Sequence, residues 1–286
     1  MPRELARAKI NITLHVGRVI QEQSDPYCGY HPLDSLVVFS DFGDELTCEP
    51  SDKTTLNISG PFASNLEANE DNLILKAYRR VQREISVPDL SFSLVKNLPV
   101  AAGIGGGSAN AAAVLRLLQH HVDICDESLH QIALSIGADV PVCLASQTSR
   151  MTGIGETVSN IGGLGQAYAV LINPGVQLLT RDIFNHFDKA EPRGTPSPQK
   201  IEGSLLNRAK DGRNDLEKAA ISLEPVIQDV LTSLSLEEGC ELARMSGSGA
   251  TCFGVFNTSN LADLAAKSIL TLHPDWWVKA CVLGEI

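Results

Sequence analysis

Apolar and polar positions alternate strictly from Ala8 to Val16, with Ala8, Ile10, Ile12, Leu14 and Val16 on one face and Lys9, Asn11, Thr13 and His15 on the other. A period of two predicts a half-buried strand. Pro26, Gly29 and Pro32 mark a loop, and strands are predicted after it over Leu33 to Ser40, Glu45 to Cys48 and Thr54 to Ile58. From Asp71 to Ile85 the period changes: Leu73, Ile74, Ala77, Tyr78 and Val81 recur at helical spacing. Alternation returns over Leu90 to Val95, and a second helix is predicted near Glu127 to Ile136.

The second half reads in the same way. Ala167 to Ile172 is a buried-strand run closed by the turn Asn173-Pro174-Gly175. Thr180 is placed to cap a helix to Phe187. Lys189 to Gly203 has linker composition and is expected to be a mobile surface loop. Helices are predicted from Asn214-Asp215-Leu216-Glu217 onward, over Glu224 to Leu234 and up to Leu270, with strands over Thr251 to Phe256 and near Trp277 to Val282. Strand and helix periods thus both recur in each half of the chain. Gly153-Ile-Gly155-Glu156 reads as a tight turn after a short strand.

One stretch does not fit either period. Pro99 to Ala113 carries Gly103, Gly105, Gly106 and Gly107, followed by Ser108 and an alanine-rich run. Clustered glycine serves positive φ or close approach of a ligand to the backbone. Ser108 is expected to cap the helix that follows, and its first turn offers unpaired N–H groups to an anion. A flexible turn remains an alternative. A dinucleotide fingerprint requires a third glycine where Ser108 stands, and the Walker loop requires a Gly-Lys pair that the chain lacks. What fits is a phosphate loop of bare amides whose cation comes from elsewhere.

Charge and composition narrow the function classes. A net charge of −11 over 286 residues argues against nucleic-acid binding. No apolar run approaches the roughly 18 residues of a membrane span, and charges at the N-terminus predict no export signal. Seven cysteines without Cys-x-x-Cys spacing suit reduced thiols, so a cytoplasmic location is expected.

Several residues have two readings on pattern alone. Lys9 is either a solvated lysine or a site residue. Tyr30-His31 is either a pair packed at a domain edge or a binding element. Asp139, in the apolar run Gly137 to Ala145, is either an N-cap before Pro141 or a reactive acid. Asn214 reads as an N-cap, and Gly247-Ser248-Gly249-Ala250 as a hairpin turn or a functional one.

The stretch Pro99-Val-Ala-Ala-Gly-Ile-Gly-Gly-Gly-Ser-Ala-Asn-Ala-Ala resembles the second motif of the GHMP kinases. Ala8 to Ile12 resembles their first motif and Gly247 to Ala250 their third, so the likeness covers nearly the whole chain. The resemblance implies an α+β protein of mixed sheets and helices with a deep cleft between two domains, 1–155 and 156–286, whose junction lies near the glycine turn Gly153-Ile-Gly155-Glu156. It implies ATP held by Pro99, Gly103, Gly105, Gly106, Gly107, Ser108 and Ala109, with Mg2+ on Ser108, because the second serine frequent in the motif is Ala109 here. Lys9 and Asp139 take the catalytic roles, Asp139 as acid/base. Asn11, Tyr30, His31, Thr180 and Phe184 become substrate-binding, with Tyr30 and His31 holding a cytosine ring; the usual Asp before Gly29 is Cys28 here. The implied reaction is transfer from ATP to a hydroxyl of a cytidyl diphosphate sugar alcohol in non-mevalonate isoprenoid synthesis, by a monomer or weak homodimer. Alternatives are a homoserine or mevalonate type of kinase, or a non-catalytic nucleotide-binding module.

Overall fold

The computed structural model describes residues 2–190 and 203–285. Of the linker-like stretch Lys189 to Gly203, residues 191–202 lie outside the described residues. The mixed α+β architecture expected from the sequence is present. The chain divides into two compact units, each assembled from separate segments.

The first unit comprises residues 1–9, 42–100 and 105–146. Its sheet contains β3 (Leu33–Pro50, here from residue 42 on), which runs antiparallel to β5 (Leu90–Val95), and β5 in turn pairs parallel with β4 (Thr55–Ser59). β1 (Arg3–Asn11) also pairs with β3. Its helices are α1 (Leu73–Gln82), α2 (Gly106–Leu118), α3 (Asp126–Ile136) and α4 (Val140–Ala145), which pack on one another. Helical spacing puts Ile74, Ala77, Tyr78 and Val81 on the inner face of α1, all fully buried. The Tyr78 ring meets Phe92 edge-on at 5.4 Å, and its hydroxyl donates to the Pro88 carbonyl at 2.7 Å, so the buried polar end is satisfied.

The second unit comprises residues 10–41, 101–104 and 147–286. One part of its sheet pairs β3 with β2 (His15–Val16) and with β6 (Ser149–Gly153), and β6 with β7 (Thr157–Asn160). The other places β8 (Gln166–Asn173) between β10 (Cys252–Phe256) and β11 (Trp277–Gly284), with β9 (Cys240–Met245) beyond β10, all antiparallel. Helices α5 (Thr180–Ala190), α6 (Leu205–Asp211), α7 (Glu217–Leu223), α8 (Val226–Leu236) and α9 (Ser259–Leu272) complete it. Its core gathers Val170, Ile172, Ile183, Ile227, Val230, Leu234 and Ile269. Among the described residues no helix is long and apolar enough to cross a membrane.

Three local expectations change. The two strands expected over Leu33 to Ser40 and Glu45 to Cys48 are a single 18-residue strand, because Asp41, Gly43 and Asp44 stay in the ladder. The single half-buried strand expected over Ala8 to Val16 is broken, β1 ending at Asn11 and β2 holding His15–Val16, and its polar positions are covered: Lys9 is 5 % exposed, Asn11 4 % and Thr13 0 %. Tertiary bonds serve part of that polar face, such as Leu36 N–H to Thr13 Oγ1 at 3.0 Å. Finally, Ser108 does not cap α2. The capping position belongs to Gly105 at φ +65°, and Ser108 falls within the first turn.

Candidate active site

In the first unit, β1 delivers Lys9 and the start of α4 delivers Asp139. Lys9 Nζ donates to Asp139 Oδ2 at 2.7 Å, joining residues 130 positions apart. The lysine side chain is 6 % exposed and the aspartate 38 %, so the carboxylate keeps an open side. Asp139 does stand at the N-cap position of α4, but its side chain makes no capping bond. Its carboxylate is committed to Lys9 instead.

The glycine loop lies against that lysine. A Cβ on Gly105 would come within 3.1 Å of Lys9 Cβ, so glycine both permits the positive φ and makes room for the lysine stem. A Cβ on Gly106 would lie 3.1 Å from Lys96 Nζ, and one on Gly107 3.0 Å from Leu73 Cδ1. The glycine run therefore serves close packing beneath a helix start as well as turn geometry. Pro99 and Ala109 are buried.

Beneath the loop sits a polar cluster that sequence reasoning missed. The Asp44 carboxylate is fully buried and accepts from Lys96 Nζ, from Asn110 Nδ2 at 2.9 Å, and from the backbone N–H groups of Asn97 and Leu98 at 2.7 and 2.8 Å. It thereby ties the end of β5 and the entry to the glycine stretch to α2. Burial pushes the Lys96 ammonium down, and the adjacent Asp44 opposes that shift. The one signal available in sequence was an acid inside a strand pattern.

In the second unit, the third-motif turn and Asn11 come together. The Asn11 backbone N–H donates to Ser246 Oγ at 3.0 Å, and its side-chain amide donates to Ser35 Oγ at 2.8 Å. Asn11 Oδ1 is buried without a partner, an acceptor left waiting for a donor. Gly103, at φ +73°, packs on this turn so closely that a Cβ would meet Gly249 O at 2.6 Å and Ser246 O at 2.7 Å. Asn214 braces the turn by donating to the carbonyls of Met245 and Gly247, each at 2.8 Å, while its own Oδ1 accepts from Leu216 N–H. The turn is also the hairpin between β9 and β10.

The Tyr30-His31 loop is closed by the bonds Gly29 N–H to Ile20 O and Ile20 N–H to Tyr30 O, both 2.8 Å. It brings His31 to α5, where the imidazole lies 4.8 Å from the Phe184 ring and 6.3 Å from Phe187. Tyr30 does not join this cluster and stands 57 % exposed. Thr180 opens α5, and its hydroxyl meets Ser248 Oγ at 3.0 Å. Asp188 carries no signal in the sequence, and the contact of Thr180 with Ser248 of the third-motif turn joins positions 68 apart.

Among the described residues no group of three or more His, Cys, Asp or Glu is arranged to hold a metal ion.

Comparison with known proteins gives the family. The GHMP kinases N terminal domain matches residues 72–147, and the GHMP kinases C terminal domain matches residues 202–272. The chain belongs to the GHMP kinase family, which implies ATP as phosphoryl donor. The 4-diphosphocytidyl-2-C-methyl-D-erythritol kinase of Parvibaculum lavamentivorans is 42 % identical over 98 % of both chains. That of Dinoroseobacter shibae is 44 % identical over 97 % of this chain and 93 % of its own. A crystal structure of 4-(cytidine 5'-diphospho)-2C-methyl-D-erythritol kinase superposes over the full length of both chains with a TM-score of 0.82 at 27 % identity.

Proposed function

We propose that the chain transfers the γ-phosphoryl group of ATP to the 2-hydroxyl of 4-diphosphocytidyl-2-C-methyl-D-erythritol. The observation that carries the chemistry is the Lys9–Asp139 contact beside Gly105. An alcohol is a weak nucleophile at neutral pH, so its proton must be taken as the new bond forms. Asp139 accepts that proton on its open side. The hydroxyl oxygen bonds to the γ-phosphorus, the bond from phosphorus to the β–γ bridging oxygen breaks, and ADP leaves with those electrons. Lys9 holds the carboxylate in place and balances charge, while the backbone N–H groups of Gly105 to Ser108 stabilise the charge spread over the transferring group.

Asn11 Oδ1, buried and unpartnered, accepts from a substrate hydroxyl. Tyr30, His31 and Phe184 hold the cytosine base, and Thr180 contacts the substrate nearby. Gly103, Gly105, Gly106, Gly107 and Ser108 cradle the ATP phosphates. The donor set fits magnesium that arrives with ATP: Ser108 offers one hydroxyl and no carboxylate cluster competes with phosphate and water among the described residues. Bound there, the ion neutralises phosphate charge. All seven cysteines are free, which supports a reducing cytoplasm as the site of action.

Incubation with ATP and, separately, the cytidyl compound, homoserine or mevalonate tests the substrate. ADP release with the cytidyl compound alone is expected. Release with homoserine or mevalonate but not the cytidyl compound overturns the proposal.

A further inference from the structure

The His31 imidazole is held on three sides by one helix. Phe187 and Asp188 stand three and four positions after Phe184 along α5, so each lies on the face that Phe184 marks. The two rings enclose the imidazole, whose side chain is 9 % exposed, and Asp188 Oδ1 lies 2.8 Å from its Nε2. A carboxylate only accepts, so the hydrogen of this bond sits on Nε2. In a neutral imidazole that leaves Nδ1 with a lone pair. Nδ1 has no partner among the described residues, and it is absent from their buried unpartnered atoms, so it remains open to a ligand.

We propose that Asp188 is a positioning residue that fixes His31 as a hydrogen-bond acceptor and so makes the site select an amino-bearing pyrimidine, cytosine, over the carbonyl-bearing uracil. The inference rests on the cytidyl reading given above. The two bases differ at one position of the pairing edge: cytosine presents the N4 amine, a donor, where uracil presents the O4 oxygen, an acceptor. A lone pair on Nδ1 accepts from N4 and is opposed by the lone pairs of O4. Buried polar groups left unpaired are what give hydrogen-bonding sites their large discrimination between close analogues. Without the carboxylate, nothing on α5 holds the hydrogen on Nε2. The ring then takes the other tautomer as well, with Nδ1–H donating to O4, and uracil is admitted.

Two measurements on the full chain test this. The first is nitrogen NMR of the histidine rings in the free protein, with the His31 signals assigned by their loss in His31→Gln. The neutral ring is expected with hydrogen on Nε2, and a ring carrying it on Nδ1 overturns the proposal whatever the substrate is. The second is calorimetric titration with cytidine 5'-diphosphate and uridine 5'-diphosphate. The protein is expected to prefer the cytidine compound by about tenfold or more, and Asp188→Ala to lose most of that preference while its KM for ATP is unchanged. Asp188→Glu, which restores a carboxylate, should recover part of it. A folded Asp188→Ala protein with the original preference overturns the role of Asp188 and leaves the cytidyl reading standing. If the unsubstituted protein itself shows no preference, the cytidyl reading fails, and the inference fails with it.

Discussion

Asp139 occupies the capping position of α4, yet its carboxylate turns away from the helix and accepts from Lys9 Nζ at 2.7 Å. An acid at a helix start ordinarily bonds the free N–H groups of the first turn. Here that stabilisation is forgone and an ion pair is made with a lysine that is itself almost fully buried. The lysine stem also fills the space left by the missing side chain of Gly105. Charge and packing are therefore separable at position 9. Lys9→Met keeps much of the stem while removing the charge. Its kcat should fall by about a hundredfold or more, with the KM for ATP changed far less, in steady-state assays at saturating acceptor. A variant losing ATP affinity and keeping kcat would show that Lys9 serves binding alone.

The Asp44–Lys96 pair is buried on both sides, at 0 % and 3 % side-chain exposure. Removing one member of such a pair leaves an uncompensated charge, which costs about 3–5 kcal/mol. Asp44→Asn retains an acceptor for the Asn97 and Leu98 N–H groups but no longer neutralises Lys96. Its unfolding free energy, read from urea titration, should fall by that amount. Adding Lys96→Met to the same chain should recover at least half of the loss, because the stranded charge is then gone; no recovery would mean that the backbone bonds of Asp44 carry the effect.

Cys143 gives a dependence on pH whose sign follows from its surroundings. Burial, with the nearby Asp139 charge adding to it, pushes this thiol from its ordinary value of 9.0 up to about 12. The unfolded chain therefore releases the proton first. The stabilising contribution is complete below pH 9 and is lost as pH rises between 9 and 12. At pH 10 the loss amounts to about 1.4 kcal/mol, one unit above the unfolded value. Chemical unfolding at pH 7 and pH 10 should show the unsubstituted protein losing more stability than Cys143→Ala by roughly this margin. Equal losses in the two proteins would place the alkaline sensitivity elsewhere.

Much of this was visible in the residue pattern, for reasons that also explain what was not. β5, Leu90–Val95, has the bounds its alternation predicts, and α3 differs from expectation by one residue, since each is governed by local period and turn residues. β3 reads as two strands in the sequence, with Asp44 between them. The buried charge of Asp44 is met by Lys96, 52 positions away in sequence, together with Asn110 and two backbone N–H groups. The same holds at the site. Lys9 and Asp139 were singled out by motif, whereas the bond that replaces the expected cap needed the fold. His31 and Phe184 were candidates, but Asp188, 157 positions from His31, carried no local signal. Ser108 was assigned a cap because serine favours that position, and the left-handed conformation of Gly105 took it instead.

The role of Asp139 as the proton acceptor is the central claim, and single-turnover measurement isolates it from binding and product release. Asp139→Asn keeps the size and position of the side chain while removing its capacity to take the proton. With enzyme in excess and the cytidyl acceptor saturating, phosphoryl transfer in this variant should slow by about a hundredfold to ten-thousandfold, with ATP bound as tightly as before. A rate close to that of the unsubstituted protein would contradict the assignment.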